Sequence, residues 1–386
     1  MRRLRLPMRS LDDIINSMYI YQLKNWPKFL WNYEHIANLL TQIRYKQGLL
    51  IGEMESIGFP VLESTVLQNL TQDVIKSSEI EGELLDYQQV RSSVARHLGM
   101  DIGGLETIDQ NVEGVVEMIL DATQNHHLPL DKTRILNWHA LLFPTGQSDF
   151  KKIKVGAWRS SSVQVVSGHW GKEKIHFEGP PAEKVNSDME LLCNWLNDAP
   201  DMDLVLKAAI AHLWFVTIHP FEDGNGRIGR AIVDYLLARS ENSPHRFYSL
   251  SSQIQRERKS YYTVLEKTQK GNLDITDWLE WFLNCLRHAI EGSLSSFKIV
   301  LQKSQFWDAL KEEPLNERQR KIVSLLLEGF EGKLTTTKWA KITKCSQDTA
   351  YRDILNLLNR GILIKSQEGG RSTSYSLKIL ALKNGI

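Results

Sequence analysis

Apolar residues follow one another almost without interruption from Leu204 to Ile218, and only Lys207, His212 and Thr217 break the run. A helix that is apolar on all sides is buried on all sides, so this run predicts a buried helix. After it, apolar positions recur at i, i+3, i+4, i+7 and i+8, namely Ile228, Ala231, Ile232, Tyr235 and Leu236. This spacing predicts a second helix that packs by one stripe only.

Helical periodicity also marks the chain upstream of this pair of helices. Leu67, Leu70 and Val74 recur on one face of a helix predicted over about residues 61–83. Continuing the 3.6-residue period brings Glu81 to within about 40° of that face, so the sequence predicts a carboxylate on a buried side. An unpaired buried carboxylate costs several kcal/mol, so Glu81 needs a cationic partner or must take up a proton.

One stretch alternates with the period of a strand rather than a helix. Val163 and Val165 alternate with polar neighbours, and Ile175 and Phe177 do so again after a turn region. This pattern predicts a β-hairpin over about residues 162–178. The chain as a whole is therefore predicted to be mainly α, with one hairpin over a helical core.

The segment after Pro314 predicts a separate unit with three short helices and two strands, an order that resembles a winged helix. The third of these helices would expose Gln347, Asp348, Thr349, Arg352 and Asn356. Between Ser346 and Lys378 there are five basic and three acidic residues. A net charge of +2 is small for a surface that binds the phosphates of DNA. A protein-contact or dimerisation role is favoured, and DNA binding stays open.

These patterns divide the chain into three predicted parts. They are an N-terminal helical region over residues 1–99, a catalytic region over residues 100–292 and a winged-helix unit over residues 293–386. The length of 386 residues suits two to three domains.

The composition of the chain limits the partners and the cellular compartment that can be expected. With 47 basic and 46 acidic residues, the formal charge of +1 excludes a global electrostatic footprint for nucleic acid or for a membrane surface. The three cysteines are scattered, which suggests neither a disulfide framework nor a zinc site and fits a reducing cytoplasm. Since there is no run of 18 uncharged apolar residues, we expect a cytoplasmic protein without a membrane span.

The segment between the two central helices has the chemistry of a phosphate cradle. Gly224 and Gly226 allow a left-handed backbone and close approach to a ligand, and the first turn of the next helix offers unpaired N–H groups to an anion. Asn225 can donate an amide N–H to a phosphate oxygen. Arg227 and Arg230 lie three apart, so both are expected to project from one face and surround the loop with positive potential.

Two further residues of this segment bring reactive chemistry to the phosphate. Asp223 offers a hard oxygen ligand of the kind that Mg²⁺ takes together with substrate phosphates. His219 has an ordinary pKa near neutrality and can accept a proton from an incoming hydroxyl, so it is the candidate general base.

Residues 219–230 read HPFEDGNGRIGR and resemble the signature of the Fic family, HPFx[D/E]GNGRxxR, at every fixed position. The resemblance implies transfer of AMP from ATP, with Mg²⁺, to a hydroxyl side chain of a target protein, which can be the protein itself. Removal of AMP, or transfer of another phosphate-containing group, stays open within the family. From another class, a DNA-binding regulator with a nucleotide-sensing site stays open, as does a homodimer.

A second motif resembles a regulatory element of the same family. The segment from Ser77 to Gly82 fits the inhibitory pattern [S/T]xxxE[G/N], with Ser77 and Glu81 at its fixed positions. The resemblance implies that Glu81 pairs with Arg230, whose planar fork would otherwise grip a phosphate. The alternative is that Glu81 is an ordinary solvated glutamate near a helix end, with Gly82 as the cap.

The resemblance also assigns residues outside the central loop. In Fic proteins a hairpin, the flap, covers the active site and pairs with an extended target segment, and its residues near the nucleotide correspond here to Val166, Ser167, Gly168 and His169. Tyr261 and Tyr262 would help enclose adenine and ribose, and Gln269 would lie near the nucleotide. The alternatives are that the hairpin only covers the core and that at least one tyrosine serves packing.

Overall fold

The computed structural model describes residues 18–56, 59–100, 107–148, 151–167, 174–198, 202–310, 315–328, 330, 332–366 and 373–378. Within them the chain is mainly helical, with a short 3₁₀ helix and three two-stranded antiparallel sheets, so the predicted fold class is confirmed. The chain divides into two compact units, Met1–Leu294 and Ser295–Ile386.

Eleven α-helices begin within the described part of the first unit, after the 3₁₀ helix Ile20–Gln22. They are α1 (Tyr33–Glu55), α2 (Phe59–Ile80), α3 (Tyr87–His97), α4 (Gln110–Gln124), α5 (Lys132–Leu142), α6 (Ala182–Asn197), α7 (Leu204–Ile218), α8 (Asn225–Glu241), α9 (Leu250–Arg256), α10 (Arg258–Gln269) and α11 (Thr276–Ala309). Several begin at an Asn or Asp whose side chain accepts a backbone N–H of the first turn, as Asp203 does for α7.

The burial of the two central helices, α7 and α8, can be compared with what their sequence patterns predict. Fourteen of the fifteen residues of α7 are buried, as its apolar run predicts. Helix α8 has thirteen of seventeen residues buried, so the prediction of a single packed stripe was wrong. The reason is that its polar residues find partners inside the protein: Asp234, for example, lies 3.5 Å from the buried Arg246.

The predicted hairpin is formed by β3 (Gln164–Ser167) and β4 (Lys174–Glu178), with a register shift between Val165 and Val166. Its antiparallel pairing confirms the period-2 prediction. A smaller sheet of β1 (Gln147–Ser148) and β2 (Lys151–Lys152), which the pattern did not indicate, lies upstream of it in the chain.

The second unit contains α12 (Glu317–Glu328), α13 (Thr336–Thr343), α14 (Gln347–Asn359), β5 (Leu363–Lys365) and β6 (Tyr375–Leu377). The two strands pair antiparallel, and Leu334 forms an additional bridge to Tyr375. The unit has its own apolar core, in which Trp339, Ile354 and Leu357 are fully buried. The order of elements is the one predicted, and the winged-helix assignment itself stays a prediction.

The segment before α1 packs on the first unit through aromatic rings. Trp26 and Phe29 both lie edge-on to Trp214 of α7, at ring distances of 6.3 and 6.0 Å. Leu30 donates its N–H to the carbonyl of Leu273, at 2.8 Å. Among all described helices, none has the length and apolar character needed to cross a membrane.

Candidate active site

His219 ends α7 in a left-handed backbone conformation, with φ at 51°. Its Nδ1 lies 3.2 Å from the carbonyl oxygen of Val216. A carbonyl can only accept, so Nδ1 carries the hydrogen and Nε2 keeps its lone pair. Burial lowers the pKa of His219 to about 4, and the charge of Arg159 acts in the same direction. The ring is therefore neutral near pH 7 and able to take up a proton at Nε2.

Arg159 fixes the backbone around His219. Its Nε donates to the His219 carbonyl at 2.7 Å, and its Nη2 donates to the Pro180 carbonyl at 2.6 Å. Its Nη1 donates to Ser161 at 2.8 Å, and its backbone N–H donates to Pro220 at 2.9 Å. The side chain is buried, which lowers its pKa. Arg159 thus ties the histidine turn to both ends of the flap hairpin, a role that the sequence did not reveal.

The loop after His219 is held in shape by Asn225. The Asn225 amide nitrogen donates to the Phe221 carbonyl at 2.9 Å, and its oxygen accepts the Phe221 N–H at 3.0 Å. Phe221 is fully buried and stacks at 4.0 Å on the ring of His139, which is itself buried in the core. Gly224 precedes α8 with φ at 80°, which glycine adopts without strain. The phosphate-donor role of Asn225 stays a prediction.

Asp223 lies partly exposed in the same loop. Its Oδ1 accepts the N–H of Gly224 at 2.6 Å, and its Oδ2 pairs with the hydroxyl of Ser148 in β1. Each carboxylate oxygen has a second lone pair. The donor set of Asp223 therefore fits a magnesium ion, which prefers a small number of carboxylate oxygens plus phosphate oxygens.

The guanidinium of Arg230 is occupied by the C-terminal end of α2. Its Nη1 donates to Glu81 Oε1 at 2.8 Å. Its Nε and Nη2 donate to the hydroxyl and the carbonyl of Ser77, at 2.9 and 2.7 Å. The Arg230 side chain is only 2% exposed. Both fixed residues of the inhibitory pattern thus contact the same arginine.

Glu81 lies one residue past the end of α2, and 31% of its side chain is exposed, so the expected burial is only partial. A Cβ built on Gly226 would lie 1.9 Å from Glu81 Oε1, which shows that the carboxylate rests against the first turn of α8. That turn is where a helix best accepts an anion. Burial opposes ionisation of Glu81, but Arg230 outweighs it through charge and hydrogen bonding, so the pKa of Glu81 is lowered.

Arg227 is also buried against the turn after α2. Its side chain is 3% exposed, forms an ion pair with Glu83 and lies over the ring of Phe143 at 5.0 Å. Glu81 and Glu83, from the turn after α2, therefore offset the positive charge that Arg230 and Arg227 bring to the loop. Burying a guanidinium requires such partners. Glu83 was missed, although a second acid two residues after Glu81 was a usable signal.

The other predicted nucleotide residues are divided between the site and the core. The Tyr262 hydroxyl donates to Glu81 Oε2 at 3.3 Å, and burial raises the pKa of Tyr262 to about 12. Tyr261 is buried, with its hydroxyl 2.8 Å from His212 Nε2. Gln269 is buried as well and donates to Thr217 Oγ1 at 3.2 Å. Tyr262 therefore contacts Glu81 itself, and Tyr261 lies behind it, close enough to Arg230 to interact with the guanidinium.

Of the predicted flap residues, Val166 and Ser167 end β3. Val166 is 48% exposed, and the Ser167 hydroxyl lies 2.6 Å from His176 Nε2. Gly168 and His169 lie outside the described residues. Phe177 of β4 packs against Tyr19 of the N-terminal segment at 5.0 Å and lies 6.4 Å from the His219 ring.

Comparison with known proteins gives two matching family models. Residues 129–237 match the Fic/DOC family, and residues 19–100 match a domain of unknown function, DUF4172. The first match contains the whole His219–Arg230 loop. The second contains Ser77, Glu81 and Glu83.

The chain is also similar to curated proteins. It is 33% identical over 103 residues to a probable protein adenylyltransferase of Aquifex aeolicus, which covers 27% of this chain and 30% of the relative. It is 29% identical over 195 residues to protein adenylyltransferase fic-1 of Caenorhabditis briggsae, which covers 47% of this chain and 35% of the relative. The chain thus spans about a third of the length of these relatives.

Among solved structures, a Fic family protein of Desulfovibrio desulfuricans aligns at 22% identity with a TM-score of 0.48, over 89% of this chain and 96% of that chain. Fic-1 of C. elegans aligns at 20% identity with a TM-score of 0.46, over 68% of this chain and 72% of that chain.

Proposed function

We propose that the protein, whose residues 129–237 form a Fic domain, is an autoinhibited protein adenylyltransferase. It transfers AMP from ATP to a Ser, Thr or Tyr hydroxyl of a target protein and releases pyrophosphate. The names of its curated relatives support this activity. The observation that carries the proposal is a neutral histidine with a free Nε2 lone pair, set beside a helix N-terminus where two arginines converge.

The proton transfer follows from the tautomer of His219. The hydrogen bond from Nδ1 to Val216 directs the lone pair of Nε2 towards an incoming hydroxyl. As the hydroxyl oxygen bonds to the α-phosphorus of ATP, its proton passes to Nε2 and the bond from phosphorus to pyrophosphate breaks. Pyrophosphate leaves with the electron pair, and Arg227 and Arg230 stabilise its charge.

Autoinhibition follows from competition for one anion site. Glu81 takes the place against Gly226 and the Nη1 of Arg230 that a phosphate of ATP would take. A phosphate that lacks this clamp leaves the α-phosphorus out of line for attack, and a displacement of about 1 Å can lower a rate by about 10²-fold. The resting protein therefore transfers AMP slowly until Glu81 is displaced.

Asp223 is the residue that would hold Mg²⁺, with Ser148 as the hydroxyl beside it. A bound Mg²⁺ supplies charge neutralisation for the phosphates of ATP. In the protein itself, the Gly224 N–H and the Ser148 hydroxyl orient the Asp223 carboxylate for this purpose.

The protein target is held by the flap. The backbone of an extended target segment pairs with the hairpin, which brings a hydroxyl beside His219 without much recognition of side chains. The catalytic region is predicted to span residues 100–292. The protein is also predicted to be able to form a homodimer.

The test uses ATP labelled on the α-phosphate, with Mg²⁺ and a cell lysate. Wild type, Glu81→Gly and Glu81→Gly/His219→Ala are compared for label on protein. We expect weak labelling by wild type, roughly 10²-fold more by Glu81→Gly, and none by the double variant. Equal labelling by wild type and a folded Glu81→Gly variant overturns autoinhibition. Loss of label from a protein labelled beforehand would instead indicate removal of AMP as the main reaction.

A further inference from the structure

The two units carry net charges of opposite sign, which the near-neutral total conceals. Residues 295–386 contain 16 Lys and Arg against 9 Asp and Glu, a net charge of +7. Residues 1–294 carry a net charge of −6. A basic unit within a neutral chain is the electrostatic footprint of a polyanion-binding module. The +2 balance of residues 346–378 understates it, because that range leaves out α12 and α13.

Part of this positive charge is exposed on two neighbouring helices, α13 and α14. Lys338 and Lys341 lie one turn apart on α13, and Lys344 follows directly after that helix. All three are exposed, as is Arg352 on α14. We call Lys338, Lys341, Lys344 and Arg352 the basic face. Its members lie on α13, in the short turn after it and on α14, which follow each other as the two helices of a helix-turn-helix do.

Lys344 occupies a backbone position that disfavours it. Its φ is 52°, and its N–H closes α13 by donating to Ala340. Helices that end in this way usually place glycine there, because other L-residues are strained in the left-handed conformation. A lysine at this position supplies a positive charge where a glycine would be the more stable choice.

Next to the basic face, helix α14 exposes polar residues together with Tyr351 and Leu355. Ala350, Ile354 and Leu357 face the core of the unit, whereas Gln347 and Asn356 are exposed. The Asn356 oxygen accepts a hydrogen bond from Gln319 Nε2 at 3.1 Å, so its amide N–H groups are the part that can contact a base. Amide side chains both donate and accept, and they can read base edges in a major groove that admits an α-helix.

We propose that the basic face and the outer side of α14 bind double-stranded DNA. The lysines contact phosphates on either side of the major groove, and α14 enters the groove. Asp348, exposed in the first turn of α14, opposes binding. Asp353 does not, because it is buried and paired with Arg318 at 2.7 Å. This function is separate from AMP transfer and does not depend on His219.

The test measures binding of the full-length protein to a fluorescent duplex of about two helical turns by anisotropy. We expect affinity to fall steeply between about 50 and 200 mM salt, with a log–log slope near −3 to −4 for four phosphate contacts. Lys341→Ala/Lys344→Gly should reduce the magnitude of this slope by about two. Lys344→Gly relieves the left-handed strain, so weaker binding by this variant does not arise from unfolding.

Two controls sharpen the result. Lys24→Ala/Lys28→Ala removes the same charge from exposed positions of the first unit and should leave binding unchanged. Asp348→Asn should tighten binding, and His219→Ala should bind as wild type does. The proposal fails if the protein does not bind the duplex, if both lysine pairs weaken binding equally, or if a single strand competes as well as the duplex. It also fails if the basic face instead governs self-association in sedimentation.

Discussion

The arginines of the first unit and the lysines of the second use the same charge in opposite ways. Arg159, Arg227 and Arg230 are at most 3% exposed and donate to specific carbonyl and carboxylate oxygens. The basic face of the second unit is exposed to solvent. A buried guanidinium fixes geometry and is little affected by salt, whereas an exposed ammonium attracts partners and is screened. The burial and hydrogen-bond partners of a cationic side chain therefore indicate its function better than the presence of the charge does.

The largest effect should come from Arg159→Met in the Glu81→Gly background. The change leaves the carbonyls of His219 and Pro180 without their donor, so the histidine turn and the flap lose their common anchor. We expect transfer to fall by about 10²-fold and the free energy of unfolding to fall by a few kcal/mol. Rates and urea unfolding check this, with Arg159→Lys as the variant that keeps the charge. If Arg159→Lys transfers AMP at the full rate, the positive charge of Arg159 matters and its hydrogen-bond geometry does not. Arg159 would then not differ from the exposed lysines in the way stated above.

A smaller effect is expected on the free energy of unfolding when Gly226, which lies against Glu81, is replaced. Because a Cβ on Gly226 would collide with Glu81 Oε1, Gly226→Ala should destabilise the wild type by roughly 1–3 kcal/mol. The same change should cost clearly less in a Glu81→Ala protein. A double-mutant cycle of unfolding free energies measures the coupling. Strictly additive values would show that the carboxylate does not rest on this turn in solution.

The smallest effect concerns pH. The pKa of His219 is lowered to about 4, so its basic form is already present well below neutrality. The transfer rate of the Glu81→Gly variant should therefore stay level from neutral pH down to about pH 5 and fall as pH drops through about 4. An inflection near 6.5, the ordinary value for histidine, would mean that solvent reaches the ring. Circular dichroism at each pH distinguishes titration from unfolding.

Much of the fold and loop could be predicted because the signals are local in the chain. The burial of α7 follows from its uninterrupted apolar run, and the left-handed turn at Gly224 follows from glycine before a helix. The pairing of Glu81 with Arg230 was proposed from a family pattern and appears in the structure as a 2.8 Å contact.

The rest depended on partners that leave no mark on sequence patterns. The side chain of Arg159 donates to backbone carbonyls, which every residue type provides, so no spacing of side chains indicates its role. Burial of α8 on several sides depends on two acids, Glu81 and Glu83, that come from the turn after α2. The opposite net charges of the two units can be counted from the sequence, but only once the boundary near Leu294 is known.

The enclosure of α7 also constrains how the protein can change over generations. A polar substitution at nearly any of its positions would bury an unpaired group, and a smaller residue would leave a void, so tolerated variants are confined to swaps of similar volume. A saturation scan should accordingly find no 3.6-residue rhythm of permissive positions along α7, although α14 should show one clearly. The helix that ends at His219, the proposed general base, would then vary slowly.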